Sequence, residues 1–380
     1  MDYSLTEEQK ALQQLARDFA QKEMAPVAAE YDRTGDYPWP VVRKAHALGL
    51  TNLAIPEEYG GMGGSAIEES LVSEELYVGC SGIGLNLNGS NLAIVPIVLA
   101  GTDEQKERFL RPLAEEPIMA AFCLTEPGCG NDAANLSTSI TRDGSDYVLN
   151  GTKSWVTNGA VAQQYTIFAT FEPGQRNSGA FCAFVVPRDT PGISVGKKED
   201  KMGQRASNTT EVILDNVRVP RENLLGKEGE GFKIAMKTFD KERAAAVASG
   251  AVGIARAALE FAQGYAKERY TFGKPLAAHQ AIQFMLADMA IKIETARLMV
   301  RKAAWLFDEG RPCTYEASIA KCYASDISME VATDSVQILG AYGYSKEYPV
   351  EKYMRDAKIM QIYEGSNQIQ RMIIGRSLLK

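Results

Sequence analysis

Histidine is nearly absent from this chain: His46 and His279 are the only two in 380 residues. That leaves too few ligands for a histidine-built metal centre and makes a triad with a histidine base an unpromising reading. The six cysteines (Cys80, Cys123, Cys129, Cys182, Cys313, Cys322) include no C-x-x-C pair. Scattered thiols in a chain of this size suit reduced, mostly buried residues in a cytoplasm-like compartment. Positive charge is in deficit, with 41 Lys+Arg against 48 Asp+Glu and a net charge of -7. Nucleic acid and anionic membrane are therefore not the expected partners. No apolar run comes near a membrane span, because Gly, Pro or charge interrupts each long one. The opening Met1-Asp-Tyr-Ser-Leu-Thr-Glu-Glu8 shows neither a basic nor an apolar leader. There is no G-x-G-x-x-G and no alternating βαβ pattern, which disfavours a Rossmann-type nicotinamide enzyme.

What is present is ordinary globular composition, 45% hydrophobic and 23% charged, in a chain long enough for two or three domains. From Leu5 to about Leu113 the pattern is helical; Thr6 with Gln9 fits a capping box, and Leu12, Leu15, Ala16 and Phe19 share a stripe. Helices are expected at Ala66–Val78 and, buried, within 86–101. Near Ile118 the character changes to short β-branched and aromatic runs at 147–151, 154–159, 165–170, 180–186, 211–215 and 217–220. Asp143-Gly144, Asn150-Gly151, Asn158-Gly159 and Pro173-Gly174 read as turns between them. From Gly231 long helical spans return, approximately 229–274, 278–309, 315–341 and 347–379, as in an up-and-down bundle. The expected fold is α+β: an N-terminal helical domain (1–118), a middle antiparallel barrel or sandwich (119–226) and a C-terminal four-helix bundle (227–380).

The chemistry points to one stretch, Asp356-Ala-Lys-Ile-Met-Gln-Ile-Tyr-Glu-Gly-Ser-Asn-Gln-Ile-Gln370. A helix runs to Tyr363, breaks at Glu364-Gly365 and restarts at Ser366-Asn367-Gln368, where Ser366 or Asn367 can cap it. Glu364 is either a solvated residue near a helix end or a general base in an apolar pocket. The loop Leu124-Thr-Glu-Pro-Gly-Cys-Gly-Asn-Asp132 is a tight turn or a nest for phosphates or a ring edge. Trp155 and Thr157 alternate on a strand, as a core Trp with a surface Thr or as an aromatic plate beside a hydroxyl. Asp240-Lys-Glu-Arg243 reads as a solvated first helical turn or as a contact for an anionic ligand. Arg269, in Glu268-Arg-Tyr-Thr-Phe-Gly-Lys274, stands where a helix ends and can complement its dipole or pair with a pyrophosphate.

Taken together and in order, Leu5-Thr-Glu-Glu-Gln9, Ile55-Pro-Glu-Glu-Tyr-Gly-Gly61, Thr125-Glu-Pro-Gly128, Asn150-Gly-Thr-Lys153, Met202-Gly-Gln-Arg205, Gln337-Ile-Leu-Gly340 and Ile362-Tyr-Glu-Gly365 carry a resemblance. Along its whole length the chain resembles the acyl-CoA dehydrogenases, and within them the medium-chain type. The resemblance implies non-covalent FAD, a homotetramer and α,β-dehydrogenation of an acyl-CoA thioester to trans-2-enoyl-CoA. Glu364 would be the catalytic base, with flavin N5 taking the β-hydride and an electron-transferring flavoprotein re-oxidising the cofactor. FAD would be held by Thr125, Trp155, Thr157, Arg269, Phe272, Gln280, Ser366 and Gln368, and by Gln337, Gly340 and Ala341 toward a neighbouring subunit. Substrate contacts would fall on Asn131, Asp240, Arg243, Tyr363 and Gly365.

The chain departs from the medium-chain pattern at several places. Glu242 stands where medium-chain members have Thr and where the isovaleryl and long-chain types carry their base. The stretch from Glu242 to Gly253 is about one residue longer than expected. Asn131 replaces a substrate-touching Ser, and Asn88 an acidic residue at the end of the acyl pocket. Straight, branched, cyclic and aryl acyl groups all remain open. Two other readings stand beside the dehydrogenase: the same site run backwards as an enoyl-CoA reductase with a bifurcating flavoprotein, and a non-catalytic binding member of the fold.

Overall fold

The computed structural model describes residues 4–379. Its first part is helical: α1 (Glu7–Phe19), α2 (Ala28–Thr34), α3 (Trp39–Ala47), α4 (Ala66–Asn88), α5 (Asn91–Ala100) and α6 (Asp103–Glu115). Thr6, Ser65 and Thr102 each cap a first turn, and Gln9, Glu68 and Gln105 return the hydrogen bond, so the expected box at Thr6 is one of a set. The helix expected to stop at Val78 continues to Asn88 through a break at Cys80, which has φ -170° and ψ 115°. At the break Gly79 lies against Ala20, where an added Cβ would stand 2.8 Å from the Ala20 carbonyl oxygen.

The middle part is a sheet: β1 (Met119–Cys123), β2 (Ser139–Asp143), β3 (Asp146–Thr157), β4 (Ala162–Thr170), β5 (Phe181–Pro187), β6 (Ile193–Lys198), β7 (Thr209–Val219) and β8 (Leu224–Leu225). Its hydrogen-bonded order among the described residues is β6-β7-β3-β2-β4-β5-β8, with β1 parallel on β4. The two runs expected at 147–151 and 154–159 form one strand, and Asn150-Gly151 lies inside it rather than turning. The pairing with β7 shifts there, and an added Cβ at Gly151 would stand 2.5 Å from Thr138 Oγ1. The glycine serves a close approach of chains. The runs at 211–215 and 217–220 likewise merge into β7, because Asn216 takes φ 52°, which asparagine tolerates.

The last part begins with one continuous helical segment: α7 (Gly231–Glu242), a π-helical turn (Arg243–Ala248) and α8 (Ser249–Glu268). A π turn closes its hydrogen bonds one residue later than an α turn, so it accommodates the additional residue noted after Glu242. α9 (Gln280–Asp308), α10 (Thr314–Leu339), α11 (Val350–Met360) and α12 (Asn367–Leu378) follow. Ala255, Ala258, Ala262, Ala296, Ala303, Ala317, Ala320 and Ala324 fill the core between them, small side chains that let helices approach closely. Contrary to expectation, the segment Gly231–Glu268 is long and apolar enough to cross a membrane, yet 78% of its most apolar window is buried in the protein.

Two glycines of α8 separate close packing from open space. A Cβ at Gly253 would run into the Glu74 carbonyl oxygen and stand 2.9 Å from Tyr77 Cβ, whereas one at Gly264 meets nothing within 4 Å. Gly253→Ala is expected to destabilise the protein by about 1–3 kcal/mol through overpacking. Gly264→Ala should gain roughly 0.5–1 kcal/mol from helix propensity. Thermal melting of the two variants beside wild type checks the opposite signs.

Candidate active site

Between α11 and α12 the chain leaves helical geometry. Glu364 takes φ 53° and Gly365 φ 94°, as the break predicted at Glu364-Gly365 requires. A side chain at 365 would be blocked, since a Cβ there stands 2.7 Å from Gln370 Nε2 and 3.3 Å from Arg243 Nη2. Carbonyls freed at a helix end need donors. Arg243 Nε donates to Glu364 O at 3.1 Å, Gln370 Nε2 to Gly365 O at 3.0 Å, and Lys321 Nζ to Gly365 O at 3.0 Å. Lys321 also donates to Asn367 Oδ1 at 2.9 Å. The joint is thereby clamped from α10, from α12 and from the start of the π turn.

The Glu364 carboxyl projects from this clamp. The residue as a whole is half-buried, but Oε2 is shielded from solvent and has no hydrogen-bond partner. Burial raises its pKa from 4.5 to about 7, and the Arg243 and Lys321 cations pull the other way without cancelling it. Lys321 is itself fully buried, which lowers its pKa to about 8 against the pull of Glu364. Tyr363 gives its hydroxyl to Met360 Sδ at 2.9 Å, and burial together with Glu364 raises its pKa.

The loop carrying Thr125 is bound to this joint. Asn131 Nδ2 donates to Ser366 Oγ at 3.1 Å, and Ser366 N–H donates to Asn131 Oδ1 at 3.3 Å. Ser366 occupies the N-cap position of α12, but its side chain does not cap that helix as expected, because its hydroxyl faces Asn131. On the other side Ser154 N–H donates to Thr125 O at 2.8 Å. This happens at a bulge, where Ser154 and Trp155 of β3 oppose the single residue Glu211 of β7. Trp155 sits in that bulge with φ 57° and its surface 60% exposed, so it is not a core tryptophan, and the bulge rather than strand alternation sets its direction. Beneath, the buried Lys153 and Glu126 pair at 2.7 Å, and Glu126 also accepts from the N–H groups of Ser137 and Thr138. Thr157 ends β3 beside α4, within 3.0 Å of where a Cβ on Gly89 would stand. An exposed flat indole beside a pinned loop suits a planar heteroaromatic ring.

The remaining expected residues form a second group at another end of the bundle. Arg269 closes α8 with its guanidinium 5.5 Å over the Tyr342 ring. Phe272 is 96% exposed at φ 49°, and Gln280, Gln337, Gly340 and Ala341 are exposed; Gln368, also exposed, stands instead in the first turn of α12 beside Ser366. No hydrogen bond among the described residues links Arg269, Phe272, Gln280, Gln337, Gly340 or Ala341 to Glu364.

The charged turn Asp240-Lys-Glu-Arg243 differs from expectation. It is not a solvated first turn: Lys241, Glu242 and Arg243 are at most 6% exposed and sit where the α-helix passes into the π turn. Lys241 pairs with buried Glu69 at 2.5 Å, and Arg243 stacks 5.1 Å over Phe239. Asp240 accepts from Thr314 Oγ1 at 2.7 Å, and burial raises its pKa. Sequence reasoning missed Lys321, Gln370 and the Lys153–Glu126 pair. Lys321 did leave a signal: a lone cation in the small-residue face Ala317, Ala320, Ala324, Ser325 of a helix.

Comparison with known proteins covers nearly the whole chain. The acyl-CoA dehydrogenase N-terminal domain matches residues 6–117, the middle domain 121–217 and the C-terminal domain 229–379. The chain is 45% identical over 381 residues to the probable medium-chain specific acyl-CoA dehydrogenase 2, mitochondrial, of Caenorhabditis briggsae, covering 100% of this chain and 92% of that one. The structure of butyryl-CoA dehydrogenase from Megasphaera elsdenii is similar with a TM-score of 0.96 at 46% identity, over 100% of both chains. A structure described as the electron transferring flavoprotein of Acidaminococcus fermentans, in work on flavin-based electron bifurcation, contains a chain similar to the same extent, with a TM-score of 0.96, 46% identity and 100% coverage of both.

The raised pKa of Glu364 has a consequence for stability. Between about 4.5 and about 7 the folded protein holds a proton there that the unfolded chain has released, so this group's contribution falls as pH rises through that window. Glu364→Gln, which carries no charge, should therefore melt higher relative to wild type at pH 8 than at pH 5. A gap that does not widen with pH contradicts the assignment.

Proposed function

The chain belongs to the acyl-CoA dehydrogenase family, whose members are FAD-dependent flavoproteins, and from that premise we propose that it desaturates an acyl-CoA thioester with Glu364 as the base. The observation that carries this is the Glu364 carboxyl, desolvated and hydrogen-bond-free at Oε2, held on a joint that Ser366 and Asn131 tie to the loop beside exposed Trp155.

The residues present fit FAD: the indole of Trp155 and the pinned Thr125 loop offer a flat, partly polar berth, and Phe272 and Arg269 lie open for the remainder of the molecule. Thr125, Trp155, Thr157, Ser366 and Gln368 would hold the ring. Arg269, Phe272 and Gln280 would hold the phosphates and adenosine, with Gln337, Gly340 and Ala341 serving a neighbouring subunit. When bound, FAD supplies the two-electron acceptor for the hydride leaving the β-carbon, and the product is a trans-2-enoyl-CoA.

Glu364 removes the α-proton. A pKa near 7 brings the carboxylate closer to the carbon acid it must deprotonate than an exposed glutamate would be. The N–H of Glu364 makes no hydrogen bond among the described residues, which leaves it to stabilise the thioester oxygen as negative charge grows there. Arg243, Lys321 and Gln370 act through the joint by fixing the two carbonyls that follow that N–H, those of Glu364 and Gly365. Asp240 and Arg243 would meet the CoA portion and Tyr363 would line the acyl cavity, with Asn131 and Gly365 as further substrate contacts.

For partners we propose a homotetramer, in which the exposed Phe284, Ile291 and Leu298, spaced by seven along α9, become covered. The six buried free thiols suit a cytoplasmic setting. Likeness to a chain in the Acidaminococcus fermentans electron transferring flavoprotein work supports electron exchange with such a flavoprotein. The same likeness keeps the reverse direction, enoyl-CoA reduction, as a second reading, which NADH-dependent reduction strictly requiring that partner would support.

The test is anaerobic addition of octanoyl-CoA, followed by butyryl-, branched, cyclic and aryl-acyl-CoA, to the yellow protein. At least one thioester should bleach the flavin band, with a rate that rises through about pH 7. Glu364→Gln should stay yellow and bind ligand while bleaching about 10²- to 10⁴-fold more slowly. Prompt bleaching by Glu364→Gln, with loss in Glu242→Gln, would move the base to Glu242.

A further inference from the structure

We propose that Glu242 and Tyr77 form a polar subsite beside the base, built to take a hydroxyl group carried by the acyl chain beyond Cβ. This rests on the dehydrogenase reading and narrows it to a substrate class, hydroxyl-bearing acyl-CoA thioesters.

Glu242 is fully buried, and neither carboxyl oxygen has a hydrogen-bond partner. Lys241 Nζ stands 3.9 Å from Oε1, beyond hydrogen-bond reach, and is committed to Glu69 at 2.5 Å. Glu69 in turn accepts from Asn91. Glu242 is the last residue before the π turn, so the same backbone insertion that places Arg243 on the Glu364 carbonyl also sets its side chain.

Tyr77 closes the space from α4. Its ring, 2% exposed, occupies room that only glycines leave: Cβ atoms at Gly84 and Gly250 would stand 2.9 and 2.7 Å from it. It shares one buried cluster with Ala244, Val247 and Ala248 of the π turn that Glu242 precedes, and Tyr363 packs against the same cluster. Two tyrosines thus border the turn at which the unpartnered Glu242 carboxyl stands. Asn88 adds a further polar group from α4, donating to Ser73 Oγ at 2.8 Å with its own Oδ1 unpartnered.

A plain alkyl tail would bury the Glu242 oxygens against methylenes, with the full cost of unpaired polar atoms. A hydroxyl both donates and accepts, so it satisfies Glu242 ionised or protonated. Burial first, then Glu69 and Glu364, favour the protonated form, with Lys241 opposing. A carboxylate-ended acyl group fits poorly, because it would bury a further charge with no free cation to meet it, Lys241 being already paired with Glu69.

Isosteric pairs test this on the FAD-loaded enzyme: 4-hydroxybutyryl-CoA against valeryl-CoA, and 5-hydroxyvaleryl-CoA against hexanoyl-CoA. Wild type should prefer one hydroxylated member in kcat/KM by about 10- to 100-fold, the effect of one unpaired buried group. Glu242→Leu should reverse that preference by improving the alkyl member, and Glu242→Gln should retain part of it. Both variants should keep their flavin spectrum. Equal or alkyl-favouring rates in wild type would mean the Glu242 oxygens hold ordered water only, and would overturn the proposal. Loss of bleaching with every thioester in both Glu242 variants, flavin retained, would overturn it by making Glu242 part of the base. If no thioester of any kind reduces wild type, it is the dehydrogenase reading itself that fails.

Discussion

The structure depends on satisfying the backbone of a helix broken in the interior. At Glu364-Gly365 the chain gives up helical hydrogen bonds where water cannot replace them, and each carbonyl must find a donor. Arg243, Lys321 and Gln370 provide these donors from three different elements. Their bonds to neutral carbonyls, rather than to the carboxylate, explain how two cations can stand near Glu364 without bringing its pKa back to that of an ordinary carboxylate. They hold the backbone, and their charge only partly offsets the desolvation that lifts the carboxyl's pKa.

The same logic recurs where the three parts of the chain meet. Asp356 on α11 pairs with Lys352 at 2.5 Å, accepts from Ser81 of α4 at 2.7 Å and from Gln204 N–H of the middle part at 2.5 Å. Removing one partner from such a buried ion leaves an uncompensated charge, about 3–5 kcal/mol by analogy with other buried pairs. Lys153–Glu126 plays the corresponding part under the Thr125 loop. Since Trp155 and Glu364 belong to the middle and C-terminal parts, these buried polar contacts fix the distance between the exposed indole and the Glu364 carboxyl.

The order helix, sheet, helix was legible because periodicity switches twice along the chain, and the joint at Glu364 was legible because Gly365 follows a helical run and polar residues restart it. Strand continuity was not: Asn150-Gly151 has the composition of a turn, and only the close approach of Thr138 shows why glycine is required inside β3. The exposure of Trp155 was equally hidden, since alternation on paper cannot show a bulge. Lys321 was overlooked because a cation in a helix is usually solvated, and its target is a carbonyl 44 residues away in sequence. The π turn was visible only as a length mismatch after Glu242.

That turn ties the remaining observations together. One additional residue in a helix cannot be absorbed without rotating everything on one side of it relative to the other. Here the rotation falls between Glu242 and the Ala-rich run of α8 that packs the bundle. The core therefore keeps its register, and the irregularity is confined to the turn between α7 and α8. Arg243 reaches the joint and Glu242 is driven into the interior with its oxygens unpaired, although an apolar residue would be more stable there. If Glu242 borders the bound acyl group as proposed, a polar group kept at such a cost is where selection between acyl groups would have its physical origin.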